Sequence, residues 1–273
     1  MHEEKSIQVY RTYIHNYEIS YVSEFAMQQF AENIFANDEH WFTCDVSKPY
    51  IIDAGANTGC VTLYFKKHFP DAEIVCFEPD TLIYSLLKSN IEKNRLQHVE
   101  HHNCALGSFD GETQFFSSNA KHLSGGLGNS IKKNWGIQED PKLYDVSTVP
   151  IRRLSPFIHK KVDYLKIDVE RAEFEILTEI QSKLHLVKQL HLELHCLGSQ
   201  ATESVDFVKR LLERHHFFVT QEKTPLSLPY WTHRWAESSN VSLWTIRAVN
   251  LAYFNPNKLL HKDRMLRKSP ATI

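Results

Sequence analysis

The sequence predicts an α/β fold in which a mostly parallel sheet is covered by helices on both faces. Three observations carry this expectation. From Tyr50 onward, short apolar runs alternate with segments of helical periodicity, as in parallel strands joined by crossover helices. The run over residues 50–52 ends in an acid and a glycine turn, Asp53-Ala54-Gly55-Ala56-Asn57-Thr58-Gly59, and a helical pattern opens at once with Val61, Leu63, Tyr64 and Phe65. The 273 residues are 42% apolar, enough for the core of one large domain.

The domain expected from this pattern spans residues 47–250, with 107–150 as an inserted loop and hairpin. Residues 1–46 read as a helical lead-in packed on the core, and 251–273 as a basic tail. In the lead-in, residues 10–21 are aromatic and extended, and 25–35 carry Phe25, Phe30, Ile34 and Phe35 at helical spacing behind Ser23 as N-cap. Strands are predicted over 50–53, 73–77, 99–105, 162–167, 189–194, 217–221 and 243–248. Helices are predicted over 58–68, 81–94, 172–184 and 204–214. Within the insertion, 111–116 and 146–151 read as short strands around Ser124-Gly125-Gly126-Leu127-Gly128-Asn129-Ser130. A long glycine-rich loop inside a compact domain is either functional or disordered, and its position between the third and fourth main strands favours a lid or substrate loop.

The bulk numbers exclude several classes. A net charge of −2 gives no basic field for nucleic acid, and no run approaches the length of a membrane span. The five cysteines contain no CxxC pair and read as small core residues in a reducing compartment. Met1-His2-Glu3-Glu4-Lys5 lacks an apolar leader, so the expectation is a cytoplasmic protein.

The strand tips speak to a ligand. A dinucleotide fingerprint reads GxGxxG; here Asn57 stands where its middle glycine would fall, and no P-loop is present. That glycine lets backbone crowd a pyrophosphate, so its absence argues against NAD or FAD. About 25 residues beyond Asp53, Glu78 ends the next strand, where a carboxylate can accept both hydroxyls of a ribose, and Pro79 suits the start of the next helix. Backbone around Cys104 and Ala105, at the third tip, is placed to contact a base. Ribose recognition without pyrophosphate recognition fits S-adenosylmethionine. The expected cofactor residues are therefore Asp53, Gly55, Ala56, Asn57, Gly59, Glu78, Pro79, Cys104 and Ala105.

These pieces resemble the FkbM-type S-adenosylmethionine-dependent methyltransferases. The resemblance rests on residues 52–59, on Phe77-Glu78-Pro79-Asp80, and on Asn90 and Asn94. It continues through Ala105-Leu106-Gly107 with Asp110-Gly111, then Leu165-Lys166-Ile167-Asp168-Val169-Glu170 with Glu173 and Leu177, and Leu192-Glu193-Leu194-His195. It implies a class I Rossmann-like methyltransferase fold, with a seven-stranded sheet whose last strand is antiparallel. It also implies methyl transfer, commonly to a hydroxyl of a sugar, glycolipid or polyketide. One departure is visible: the family's Asp-Val-Glu-Gly here reads Asp168-Val169-Glu170-Arg171. Where that glycine needs positive φ, Arg171 is strained or the turn has shifted; Arg171 either reaches an anionic acceptor or is a solvated helix-start residue.

Alternation places Lys166, Asp168 and Glu170 on one face of the fourth strand, and His191, Glu193 and His195 on one face of the fifth. Charges on central strands are costly unless paired or used, so Lys166 pairs with Asp168 or Glu170, or Asp168 works on the cofactor or acceptor. His195 reads as general base or positioning group with Glu193 beneath it, or as a satisfied polar pair. His191 and His195 lie roughly 13 Å apart along an extended strand and cannot share one ion. Mg²⁺ on Asp168, Glu170 and Glu193 is chemically open, but a metal-free site is favoured. Trp231, His233, Arg234 and Trp235 are either an aromatic cover over the core or a sugar platform. The expected acceptor is a small molecule or carbohydrate. The rival reading is a catalytically silent module that binds the cofactor or a protein.

Overall fold

The computed structural model describes residues 7–119, 124–133, 144–197, 201–224 and 241–254. Its centre is a seven-stranded sheet. The strands are β3 (Tyr50–Ala54), β4 (Glu73–Phe77), β5 (Val99–His102), β9 (Tyr164–Ile167), β10 (Gln189–Leu197), β11 (Phe217–Thr224) and β12 (Val241–Asn250). They run in the order β11-β12-β10-β9-β3-β4-β5. The strands from β10 to β5 pair in parallel, and β12 is antiparallel to both β10 and β11. This is the expected mostly parallel sheet with its last strand reversed.

The helices α2 (Cys60–His68), α3 (Thr81–Lys93), α4 (Glu173–Glu179) and α5 (Ala201–Arg214) connect these strands. Alternation along each strand sorts the core into two layers. Ile52, Ala54, Phe77, Leu165, Ile167, Leu190, Leu192 and Leu194 join one apolar cluster with residues of α4 and α5. Ile51, Ile74 and Tyr164 join the other, with Tyr64 and Phe65 of α2 and Phe42 of the lead-in. No helix among the described residues is long and apolar enough to cross a membrane.

The lead-in begins with a hairpin, β1 (Tyr10–Ile14) and β2 (Tyr17–Tyr21). Its helix α1 (Glu24–Phe30) passes into a wider π turn at Ala31–Ala36, and Ser23 Oγ caps it by accepting from Ala26 N at 3.2 Å. The hairpin is fastened to α3 by two asparagines one turn apart. Ser20 N donates to Asn90 Oδ1 at 2.8 Å while Asn90 Nδ2 donates to Ser20 O and Thr58 O; Asn94 treats Glu18 in the same way. The two amides act as a strand edge for β2.

Several element boundaries differ from expectation. The strand predicted over 99–105 is two: β5 stays in the main sheet, and β6 (Ala105–Gly107) joins β7 (Gly111–Ser118) and β8 (Tyr144–Arg153) in a second sheet ordered β6-β8-β7. Asn103 turns the chain between them by donating to Glu78 O and Pro79 O. The helix predicted over 172–184 stops at Glu179, and a tighter turn covers Gln181–Leu186. Pro79 precedes the Asp80 N-cap of α3 instead of occupying its first turn.

Candidate active site

The turn after β3 is held from below. Gly55 N and Ala56 N both donate to Phe77 O, at 3.1 and 2.9 Å, so these two amides are consumed by the scaffold. Gly55 has φ +85°, and a Cβ there would stand 1.7 Å from the carbonyl oxygen of Asp168. Its bareness accommodates the tip of β9. Gly59, at φ +89°, opens α2 in the left-handed conformation. Asn57 is left-handed too, at φ +48°, and spends its side chain locally, with Oδ1 accepting from Thr58 N and Nδ2 donating to Gly125 O at 3.1 Å.

Asp53 lies behind this turn, not at its surface. Its side chain is 0% exposed, accepts from Thr62 Oγ1 at 3.0 Å and faces Lys166 Nζ at 3.5 Å. Lys166 also reaches Asp168 at 3.2 Å and donates to Gly55 O at 2.8 Å. Of the two pairings expected for Lys166, the structure shows Asp168, and it adds Asp53. Burial disfavours the ammonium, but the two carboxylates outweigh it and Lys166 stays charged. Removing one partner of such a buried cluster costs about 3–5 kcal/mol.

Glu78 is the acid presented at the crevice. Its Oε2 accepts from Asn57 N at 3.0 Å and its Oε1 from Asp80 N at 2.9 Å. The carboxylate is thereby fixed across the gap between the β3 and β4 tips, and each oxygen keeps a lone pair for a further donor. Burial pushes its pKa up to about 8, against the opposing pull of those two amides. Two acceptor oxygens so placed fit the paired hydroxyl donors of a vicinal diol such as a ribose. Cys104 and Ala105, expected to contact a base, are both buried, and Ala105 is paired with Ile151 of β8.

The insertion folds over the same crevice. Gly125 packs on the lead-in, where a Cβ would meet Ala26 and Ser23 at under 3 Å; one on Gly126 would meet Asn57 and Ile83 at 3.0 Å. Gly128 N donates to Glu170 Oε1, Asn129 Nδ2 to Asp80 Oδ2, and Ser130 Oγ to Glu170 O. The segment thus bridges the β3, β4 and β9 tips, the placement of a covering loop.

At the β9 and β10 tips a second constellation forms. His195 Nδ1 lies 2.8 Å from Glu173 Oε1, and Nε2 lies 3.3 Å from Glu170 Oε2. Glu173 Oε1 also accepts from Val169 N and Arg171 N, so one buried carboxylate shapes the whole turn. Burial alone would lower the His195 pKa; Glu170 and Glu173 reverse this and raise it well above the usual imidazole value. Arg171 has φ +82° and Glu170 φ +55°, so the arginine occupies the left-handed position where the family has glycine. Asp168, Glu193 and His195 each bring a ligand atom within 4.8 Å of the other two, an arrangement able to hold a cation. Glu170 lies outside that cluster, on His195 and the covering loop. The roles of Glu173 and Thr62 are not separable by spacing from those of ordinary helix residues. Trp231, His233, Arg234 and Trp235 lie outside the described residues.

The chain is 30% identical over 199 residues to Methyltransferase 1 of Beauveria bassiana (strain ARSEF 2860), covering 66% of this chain and 76% of that protein. It is 29% identical over 169 residues to Methyltransferase sdnD of Sordaria araneosa, covering 50% of this chain and 62% of that one. The solved structure of Methyltransferase FkbM from Methylobacillus flagellatus KT aligns with a TM-score of 0.49 at 13% identity, over 80% of this chain and 47% of that one. The methyltransferase FkbM domain matches residues 53–219, from the acid of the first turn into β11, and the chain belongs to that family.

Proposed function

We propose that this protein transfers a methyl group from S-adenosylmethionine to a hydroxyl oxygen of a sugar, glycolipid or other small hydroxylated metabolite. The observation that carries the reading is the pairing of a diol acceptor, Glu78 held by two backbone amides, with an acid–imidazole cluster two strand tips away. When bound, S-adenosylmethionine supplies an activated methyl carbon. The chain's own work is to orient the acceptor oxygen, receive its proton and keep water out. Glu78 holds the ribose hydroxyls, with the Asn57 turn beneath. Glu173 fixes the His195 ring through Nδ1, and Nε2 takes the hydroxyl proton once the acceptor displaces Glu170 from it. Asp168 and Glu193 orient the acceptor hydroxyl from the neighbouring strand tips. The covering loop closes over both.

The reading places the protein in the cytoplasm with a small-molecule acceptor and no nucleic-acid partner, consistent with its net charge of −2. The test is transfer of labelled methyl from S-adenosylmethionine across a panel of sugars, glycolipids and hydroxylated metabolites. A labelled methyl ether, lost in His195→Gln, is the expected product. Cofactor binding with no labelled product from any acceptor supports the silent-module reading instead.

A further inference from the structure

His191 lies one alternation below Glu193 on β10, inside the sheet face that the lead-in covers. Its side chain is 1% exposed, and neither ring nitrogen has a hydrogen-bond partner. A buried polar group left in this state costs about 1–3 kcal/mol. Around it are two carboxylates. Glu193 Oε1 lies 3.9 Å from Nε2, beyond hydrogen-bond distance. Glu39 comes from the turn that follows the π turn of the lead-in. One ligand atom from each of Glu39, His191 and Glu193 lies within 4.8 Å of the other two.

We propose that Glu39, His191 and Glu193 form a binding site for one divalent transition-metal ion, of the Zn²⁺ or Co²⁺ class. Ligands held about 2.0–2.2 Å from such an ion stand roughly 3–4 Å apart, so the three close by about an ångström around it. One imidazole and two carboxylates suit these ions better than Mg²⁺, which takes oxygen and keeps its water. Burial holds His191 neutral, the form that ligates. The nearby cations are Lys166 and Arg247; Arg247 Nη2 stands 3.9 Å from Glu39 Oε1 with its side chain 37% exposed. His40 packs its ring 4.5 Å from that of His191 and closes the far side. The ion would clamp the lead-in to β10 and fix Glu193 beside Asp168 and His195. The inference rests on His191 and shares only Glu193 with the methyl-transfer reading.

The experiment uses the full chain, stripped with chelator and reloaded with Co²⁺ or Zn²⁺. The readouts are bound metal per chain, the visible absorption of Co²⁺, and the thermal midpoint. One equivalent of metal, tetrahedral Co²⁺ bands and a raised midpoint are expected. His191→Leu loses the bands and the metal-dependent rise, yet matches or exceeds the parent in chelator, because it deletes an imidazole with no partner. Glu39→Gln, which keeps the size and shape of a half-buried side chain, weakens binding at least tenfold and guards against misfolding of the leucine variant. Three outcomes overturn the proposal. One is no retained metal, which leaves an ordinary water on His191. Another is metal binding unchanged in both variants. The last is loss of binding in Asp168→Asn but not in His191→Leu, which places the ion at Asp168, Glu193 and His195.

Discussion

Gly55 sits where a methyl group decides between folding and failure. A Cβ at this residue meets backbone, the Asp168 carbonyl at 1.7 Å, which cannot step aside without moving β9. At Gly59 the obstacle is Leu87 Cδ1 at 2.7 Å, the far end of a flexible side chain. Denaturant unfolding should therefore separate them: Gly55→Ala costs at least about 3 kcal/mol, Gly59→Ala about 1–2 kcal/mol from its left-handed φ. Glu78 makes a second residue-scale prediction. Its raised pKa means the free native protein holds a proton that the unfolded chain has released, so stability falls as pH rises from about 4.5 to about 8. Thermal midpoints across that range should decline less in Glu78→Gln. His195 behaves differently, because it must lose its proton to act as base. Initial rates should rise with pH through an apparent pKa above the ordinary imidazole value. Glu173→Gln removes one of the carboxylates that raise it and should shift this limb downward, whereas a purely structural role would leave the limb in place.

At the scale of elements, the lead-in is part of the domain. Ile19 and Phe42 are fully buried in the layer built on α2, and β2 hangs on the Asn90 and Asn94 amides. Asn90→Ala leaves the Ser20 amide and two carbonyls without their partner, at about 1–3 kcal/mol for each group that stays dry. Hydrogen exchange should show the hairpin amides losing protection in this variant before those of β3 and β4. Such a dependence was invisible in the sequence, where residues 10–21 announced only extended aromatic chain. The break between β5 and β6 was hidden for a related reason: Asn103 ends the strand by tertiary hydrogen bonds to Glu78 and Pro79. The strands themselves were legible because alternation is a local property. Leu190, Leu192 and Leu194 enter one core, and His191, Glu193 and His195 the opposite face.

Across the whole molecule, strand order converts scattered motifs into one crevice. Asp53, Glu78, Asp168 and His195 are far apart in the chain, yet lie on β3, at the end of β4, at the end of β9 and on β10 of one sheet. The sequence announced that each tip carried chemistry but assigned the first acid to the wrong depth. Asp53 is a buried partner of Lys166, whereas Glu78 is held across the gap between the β3 and β4 tips. Burial depth is a property of packed layers, and spacing along one strand does not encode it. The covering loop over 124–130 was legible as an interruption, while its attachment to Asn57, Asp80 and Glu170 depends on the assembled sheet. Everything assigned to this crevice depends on a nucleoside cofactor seated against Glu78. Titration calorimetry with S-adenosylmethionine tests that directly: the account predicts one site per chain, weakened at least tenfold in Glu78→Ala. Absence of binding to the parent protein, or equal affinity in the variant, would contradict it.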